Sequence, residues 1–182
     1  MIHPLSDVKS KTIGQNTLIW QYTVVLNGAI IGNNCNINCH VFIENEVIIG
    51  NNVTIKSGVY LWDGINIQDN VFIGPNVTFT NDLRPRSKKY PEKFQQILIK
   101  EFASIGASST ILGGVTVGEY SMTAAGSLVT KDVPSRALVL GSPAKIVAWL
   151  NDDGSKMNLI DNIYYDNKGK KWKVINNQLI NI

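Results

Sequence analysis

Apolar residues recur at every sixth position of this chain from Ile13 to Phe79, without an insertion. The positions are Ile13, Ile19, Val25, Ile31, Ile37, Ile43, Ile49, Ile55, Leu61, Ile67, Ile73 and Phe79. A small or β-branched residue follows four places after nearly every one of them, for example Thr17, Ala29, Cys35 and Val53. A fixed short period of this kind indicates a repeat architecture.

The six-residue period predicts a parallel β-helix. A unit of six residues has room for one short strand and one corner, so three units make a triangular coil of 18 residues. Strands of successive coils then pair at about 4.8 Å, with the sixth-position residue pointing inward. Glycine and asparagine beside the corners tolerate the positive φ that a tight corner requires. We therefore predict an all-β, single-wound solenoid stabilised by the stacking of neighbouring coils.

The period is interrupted over residues 83–102, where the composition becomes basic and two prolines disfavour regular structure. We expect an excursion loop there, and loops of this kind often carry function. The alternative is a solvated loop whose lysines only aid solubility. The period then resumes and ends at Pro134.

Two further elements are expected after the repeat. Residues 142–150 suggest a short closing helix, because Pro143 would occupy its first turn. Two apolar stretches separated by a polar turn predict a β-hairpin within residues 151–182. The chain thus divides into a β-helix domain at 1–150 and an appendage at 151–182.

Composition and charge exclude several functions. Charged residues make up 17% of the 182, and the net charge is +3, which argues against a general nucleic-acid-binding protein. No signal peptide or membrane span is recognisable, so a cytoplasmic protein is expected. Two histidines cannot form a three-histidine zinc site, and we predict no metal.

Residues 18 apart should lie above one another on successive coils, and one such column is polar. It consists of Asn27, Asn45, Asp63 and Asn81. Trp62 and Asp82 adjoin this column, and the basic loop begins directly after it. Asn and Asp are also ordinary corner residues. However, a carboxylate, an amide and several cations together suit a ligand that carries an amine and phosphates.

The end of the repeat resembles the hexapeptide-repeat acyltransferases. The resemblance lies in the segments 125–134, Ala-Gly-Ser-Leu-Val-Thr-Lys-Asp-Val-Pro, and 141–145, Gly-Ser-Pro-Ala-Lys. It implies a left-handed coil and a homotrimer with acyl-CoA bound between subunits. It further implies that Ala125 and Gly126 hold the pantetheine arm and that Pro143 meets the adenine. The phosphates would meet Lys131, Arg136 or Lys145.

More narrowly, four segments resemble the nucleotide-sugar 3-N-acyltransferases: 1–8, 40–44, Trp-Asp-Gly at 62–64, and Phe-Thr-Asn-Asp at 79–82 with the Pro-Arg-Ser that follows. The resemblance implies transfer of an acetyl or other short acyl group to the 3-amino group of a dTDP-3-amino-3,6-dideoxyhexose, for O-antigen or S-layer sugars. Asn81, Asp82 and Asp63 would act on the amine and the sugar. The remaining substrate-binding candidates are Trp62, Arg84, Arg86, Lys88 and His40.

Two other functions remain open. An O-acetyltransferase of a small sugar or alcohol would need a base to activate the hydroxyl. His40 is then the candidate, although a lone histidine on a solenoid face is more often structural. A non-catalytic β-helix protein would need regular faces and no coenzyme motif.

Overall fold

The computed structural model describes all of residues 1–182, and every regular element in it is a β-strand. The strands up to the end of the second repeat segment are β1 (Asp7–Val8), β2 (Thr12–Ile13), β3 (Leu18–Ile19), β4 (Val24–Val25), β5 (Ile30–Ile31), β6 (Asn36–Ile37), β7 (Phe42–Ile43), β8 (Ile48–Ile49), β9 (Thr54–Ile55), β10 (Tyr60–Leu61), β11 (Ile65–Ile67), β12 (Phe72–Ile73), β13 (Thr78–Phe79), β14 (Ile97–Ile99), β15 (Ser104–Ile105), β16 (Thr110–Ile111), β17 (Thr116–Val117), β18 (Met122–Thr123) and β19 (Leu128–Val129). The last six are β20 (Ala137–Gly141), β21 (Ala144–Trp149), β22 (Asn158–Ile160), β23 (Ile163–Tyr165), β24 (Lys171–Ile175) and β25 (Gln178–Asn181).

Strands β1 to β21 build a three-sided prism, as the period predicts. Face 1 is the seven-stranded parallel sheet β1-β4-β7-β10-β13-β16-β19, and face 2 is the six-stranded sheet β2-β5-β8-β11-β14-β17. Face 3 is β3-β6-β9-β12-β15-β18-β20-β21. The register confirms the coil of 18 residues, since Ile13 pairs with Ile31 and Ile31 with Ile49. The chain is therefore a parallel β-helix.

The core is the inside of the prism, and the predicted positions fill it. The sixth-position residues from Ile19 to Phe79 are at most 2% exposed, and the small residues at the fifth positions are buried with them. Thr123 replaces an aliphatic residue in this series and is fully buried. Its hydroxyl accepts a hydrogen bond from the Gly106 N–H at 3.2 Å, so the interior accommodates it.

Three corners separate the faces, and each takes its name from one of its residues. The aspartate corner, between faces 1 and 2, contains the column Asn27, Asn45, Asp63 and Asn81. The asparagine corner, between faces 2 and 3, contains the column Asn33, Asn51 and Asp69. The histidine corner, between faces 3 and 1, contains the column Tyr22, His40, Gly58 and Asn76, all with positive φ. Asn34 and Asn52 also have positive φ, as predicted for corner asparagines.

The excursion loop is shorter than predicted. Ile67 pairs with Ile99, which is 32 residues later and therefore 14 more than one coil. The ladder thus resumes at β14, and the predicted end at residue 102 is wrong. The Gln95 N–H donates to the Asn81 carbonyl at 2.8 Å and closes the loop at its base. Ile99 lies six residues before Ile105, so the six-residue period in the sequence already extends back to β14.

The predicted closing helix is also wrong. Residues 144–149 form β21, which pairs antiparallel with β20 through contacts such as Val139 with Ile146. Burial alternates along β21, so its side chains follow a period of two, which is the period of a strand. The Ser142–Pro143 peptide bond is cis and lies in the turn of this hairpin.

The tail forms a sheet of its own, ordered β22-β23-β24-β25 and entirely antiparallel. It contains the predicted hairpin, because β23 pairs with β24. One side of this sheet packs against the end of the prism, where the rings of Trp149 and Tyr164 meet edge to face at 6.5 Å. Trp172, Val174 and Leu179 lie against the same core.

Candidate active site at the aspartate corner

Asn81 lies directly above Asp63, as the 18-residue step predicts. The Asn81 side-chain amide donates to the Asp63 carbonyl oxygen at 3.1 Å. Both residues are half-buried, so they are fixed by the prism yet reachable from solvent. The position of Trp62 is fixed in the same way, because its indole N–H donates to the Phe79 carbonyl at 2.9 Å.

The hydrogen-bond pattern of this corner changes at Asn81. In the two coils below, the side-chain oxygen of one coil accepts a backbone N–H of the coil beneath. Asn45 accepts from Gly28 at 3.2 Å, and Asp63 accepts from Glu46 at 2.7 Å. Asn81 instead uses its amide as a donor, and its side-chain oxygen has no donor within the protein. The oxygen is therefore available to accept a hydrogen bond from a ligand N–H.

Glu44 belongs to this corner, although it is absent from the candidates taken from the sequence. Its carboxylate accepts a hydrogen bond from the Asp63 N–H at 2.7 Å. Burial raises the pKa of the Glu44 carboxyl above its ordinary value, and the charge of Asp63 adds to the effect. The sequence does contain a signal for Glu44, which is its position one coil below Trp62. It is the only charged residue in a column that otherwise consists of Leu26, Trp62 and Thr80.

The basic loop rises from this corner. The Asp82 carboxylate accepts the Arg84 N–H at 2.8 Å, which fixes the first turn of the loop. Arg84, Arg86 and Lys88 are exposed, and none is paired with a carboxylate. Three unpaired cations on this loop are thus available to an anionic ligand.

An aromatic groove crosses face 1 beside the corner. It has a volume of about 400 Å³ and is lined mainly by Tyr22, His40, Phe42, Tyr60 and Trp62. The ring of His40 stacks on that of Tyr22 at 5.2 Å. The structure therefore brings His40 and Trp62 to one groove, with Trp62 at the aspartate corner and His40 at the histidine corner.

The candidate coenzyme residues are divided among the corners. Ala125 and Gly126 are exposed on the histidine corner, above His40. Lys131 continues the aspartate corner beyond Asn81. A cavity of about 410 Å³ is lined by Lys131, Pro134 and Lys145, with Pro143 two residues away in the exposed turn.

Arg136 lies elsewhere, beyond the top of the asparagine corner. Its guanidinium pairs with the Asp152 carboxylate at 2.6 Å and covers the rings of Tyr120 and Trp172 at 4.8 and 5.2 Å. A contact between Arg136 and a phosphate stays a prediction. In this structure its charge already has a partner, which the charges of Lys131 and Lys145 do not.

None of the elements is a helix long and apolar enough to cross a membrane. The His, Cys, Asp and Glu side chains also form no cluster of three that could hold a metal ion.

Comparison with known proteins places this fold in a family. Residues 10–45 and 46–81 each match the family described as bacterial transferase hexapeptide (six repeats). The dTDP-3-amino-3,6-dideoxy-α-D-galactopyranose 3-N-acetyltransferase of Aneurinibacillus thermoaerophilus is 54% identical over 172 residues, which are 94% of this chain and 90% of the relative.

Two solved structures have the same architecture. A hexapeptide-repeat acetyltransferase of Vibrio cholerae O1 biovar eltor, complexed with acetyl-coenzyme A, is 29% identical with a TM-score of 0.57, over 76% of this chain and 70% of that one. The polySia-specific acetyltransferase NeuO is 26% identical with a TM-score of 0.61, over 88% and 85%. With a relative at 54% identity over nearly the whole of both chains, this chain belongs to the hexapeptide-repeat bacterial transferases.

Proposed function

We propose that this protein transfers an acetyl group from acetyl-CoA to the 3-amino group of a dTDP-3-amino-3,6-dideoxyhexose. The observation that carries the proposal is the unpaired side-chain oxygen of Asn81, held above Asp63 at the base of a loop that carries three unpaired cations. The activity of the 54% identical relative supports the same substrate class. A galacto configuration at C4 is the first to test, because that relative acts on it.

The residues of the aspartate corner then have distinct roles. The Asn81 side-chain oxygen accepts an N–H of the neutral amine and directs the nitrogen lone pair at the thioester carbonyl. Asp63 and Asp82 orient the sugar, whereas Arg84, Arg86 and Lys88 pair with the diphosphate. The aromatic groove with Trp62 and His40 is next to these groups and binds another part of the same substrate.

The chemistry needs little beyond this positioning. The amine nitrogen forms a bond to the carbonyl carbon, a tetrahedral oxyanion results, and the carbon–sulfur bond breaks. The departing thiolate takes the proton lost by the nitrogen, so the products are an amide and free CoA thiol. Holding the two reactants in line lowers the barrier by removing their relative motion, and backbone N–H groups stabilise the oxyanion.

A homotrimer fits the division of the site between corners. Asn81 lies on the aspartate corner, whereas Ala125 and Gly126 lie on the histidine corner, with face 1 between them. Tyr60 on face 1 and Tyr22 on the adjoining histidine corner are 51% and 55% exposed, which is unusual for a surface without a partner. In a threefold assembly the coenzyme held by one prism would reach the amine held by its neighbour.

The test is release of free thiol from acetyl-CoA by the purified protein. We expect release only in the presence of a dTDP-3-amino-3,6-dideoxyhexose, with the galacto and gluco isomers compared in parallel. The matched control is the 3-hydroxy analogue of each sugar nucleotide, which should give no release. Absence of release with every aminosugar would contradict the proposal, and a panel of longer acyl-CoAs would define the acyl group.

One observation favours O-acetylation as a second candidate: His40 lies in the same groove as Trp62. A hydroxyl acceptor needs a base, and histidine is the residue best suited to that task. Release of thiol with the 3-hydroxy analogue, together with its loss in His40→Ala, would favour this candidate. Retention of aminosugar acetylation in His40→Ala would support the N-acetyltransferase.

A further inference from the structure

Two neighbouring cavities lie where the tail meets the end of the prism. The first, of about 410 Å³, is formed by prism residues and by Asn177 of the tail. The second, of about 430 Å³, lies between β21 and the tail sheet and includes Leu159, Tyr164 and Lys173. Ile146 and Asn177 line both cavities, so the two join into one groove. Each is within the size range of small-molecule sites.

The groove is positively charged. Lys131 and Lys145 line the first cavity, Lys173 lines the second, and none of the three is paired with a carboxylate. The single acidic residue in the lining is Asp132, whose carboxylate accepts the Thr116 N–H at 2.7 Å. The lining therefore favours an anion, and its apolar part favours a ring or chain.

The tail is held in place at a separate point. Asp152 pairs with Arg136 and with Lys168, both at 2.6 Å. Hydrogen bonds from Lys168 and Arg136 lower the pKa of the Asp152 carboxyl below its ordinary value. Arg136 also covers the Trp172 ring at 5.2 Å. Because the tail is already fixed, a ligand in the groove does not have to order it.

Asn177 reaches the groove from a two-residue turn. Asn176 and Asn177 connect β24 to β25, and both have positive φ, at 50° and 58°. Only Asn177 of the two lines the cavities. Its amide provides both donors and an acceptor to a ligand at the junction.

We propose that the tail completes the coenzyme site, and that this groove binds the adenosine 3′-phosphate 5′-diphosphate end of acyl-CoA. Lys131, Lys145 and Lys173 pair with the phosphates, and Asn177 hydrogen-bonds the nucleotide at the junction. The apolar wall formed by Ile146 and the tail faces the adenine. This inference rests on the proposed acyl-CoA-dependent function and assigns a role to residues 151–182.

Calorimetric titration of the full-length protein with acetyl-CoA, CoA and 3′-dephospho-CoA tests this site. Asn177→Gly keeps the positive φ of the turn without strain, and Asn176→Gly is its matched control. Lys173→Ala is compared with Lys171→Ala, which alters the same strand at a residue that lines neither cavity and lies over the Tyr165 ring. Loss of one such contact is expected to raise the Kd for acetyl-CoA by at least about fivefold.

The expected result is weaker coenzyme binding in Asn177→Gly and Lys173→Ala, with the two controls and the KM for the aminosugar unchanged. Lys173→Ala should also narrow the difference in affinity between CoA and 3′-dephospho-CoA. Unchanged affinities in both variants, or equal losses in the controls, would overturn the inference. Tight CoA binding without acetyl transfer would overturn the proposed function and leave this site standing.

Discussion

The asparagine corner and the aspartate corner are built from the same residue types, yet their hydrogen bonds differ. At the asparagine corner, Asn33 and Asn51 each accept a hydrogen bond from the backbone of the coil below, at 2.8 and 2.9 Å, and Asp69 continues the series at 2.7 Å. Each of these side chains therefore links two successive coils by a hydrogen bond. The aspartate corner follows the same rule only as far as Asp63.

The difference begins where the basic loop leaves the prism. The Asn81 carbonyl accepts the Gln95 N–H, so the backbone at this point serves to close the loop rather than continue the corner. The Asn81 side chain turns to donate to Asp63, and its oxygen is left without a partner. In a solenoid, a corner side chain that is hydrogen-bonded to the next coil has a structural role. Where this series of hydrogen bonds is interrupted, polar groups remain that a ligand can use.

Changes at the asparagine corner should therefore affect stability and spare activity. The largest effect is expected from Gly32→Ala, because an added Cβ would lie 2.5 Å from the Gly50 carbonyl oxygen, a backbone atom of the next coil. Crowding of this kind should lower the free energy of unfolding by about 3 kcal/mol, measured by urea denaturation.

Gly169→Ala is the control for backbone strain alone. Nothing lies within 4 Å of a Cβ at this position, and its φ is +80°, so the expected loss is about 1 kcal/mol. Equal losses in Gly32→Ala and Gly169→Ala would contradict the close packing of coils at the asparagine corner.

At the aspartate corner the reverse is expected. Asn81→Ala removes the free side-chain oxygen and should lower the rate of acyl transfer at least about tenfold, with a loss of stability no larger than the roughly 1 kcal/mol of its one hydrogen bond to Asp63. Asn51→Ala is the matched variant, because it removes hydrogen bonds at 2.9 and 3.0 Å from the asparagine corner. It should lower stability by about 1 kcal/mol and leave the transfer rate unchanged.

Thiol release and thermal denaturation of both variants measure this contrast. If Asn81→Ala turned over normally, the unpaired oxygen would have no catalytic role. If Asn51→Ala lost activity at a temperature where it is folded, the distinction between the two corners would fail.

The sequence predicts the prism well, because the period determines both burial and vertical neighbours. Ile19 to Phe79 are buried as expected, and the 18-residue step places Asn81 above Asp63. Where the period is absent, prediction is weaker. The segment 142–150 contains Pro143 and apolar residues that suit a first helical turn as well as a hairpin, and pairing with β20 decides for the strand.

Electrostatic partners are equally hard to predict from the period. Arg136 and Lys131 look alike in the sequence, but Arg136 meets Asp152 because the tail folds back onto the asparagine corner. Glu44 is hard to predict for a related reason. Its importance depends on a hydrogen bond from the Asp63 backbone and on burial, and neither is a property of residue type alone.

The smallest expected difference between the two corners is a pH dependence of stability that arises from Glu44 at the aspartate corner. Burial raises its pKa above the ordinary 4.5, so its contribution to stability is complete below about that pH and is lost as the pH rises through the raised value. Glu44→Gln cannot titrate, but its side-chain oxygen can still accept the Asp63 N–H. The variant should therefore gain stability relative to the native protein as the pH rises from about 4 to about 7. Urea midpoints of both proteins across this range measure the effect, and a constant difference would mean that Glu44 is not desolvated beneath Asp63.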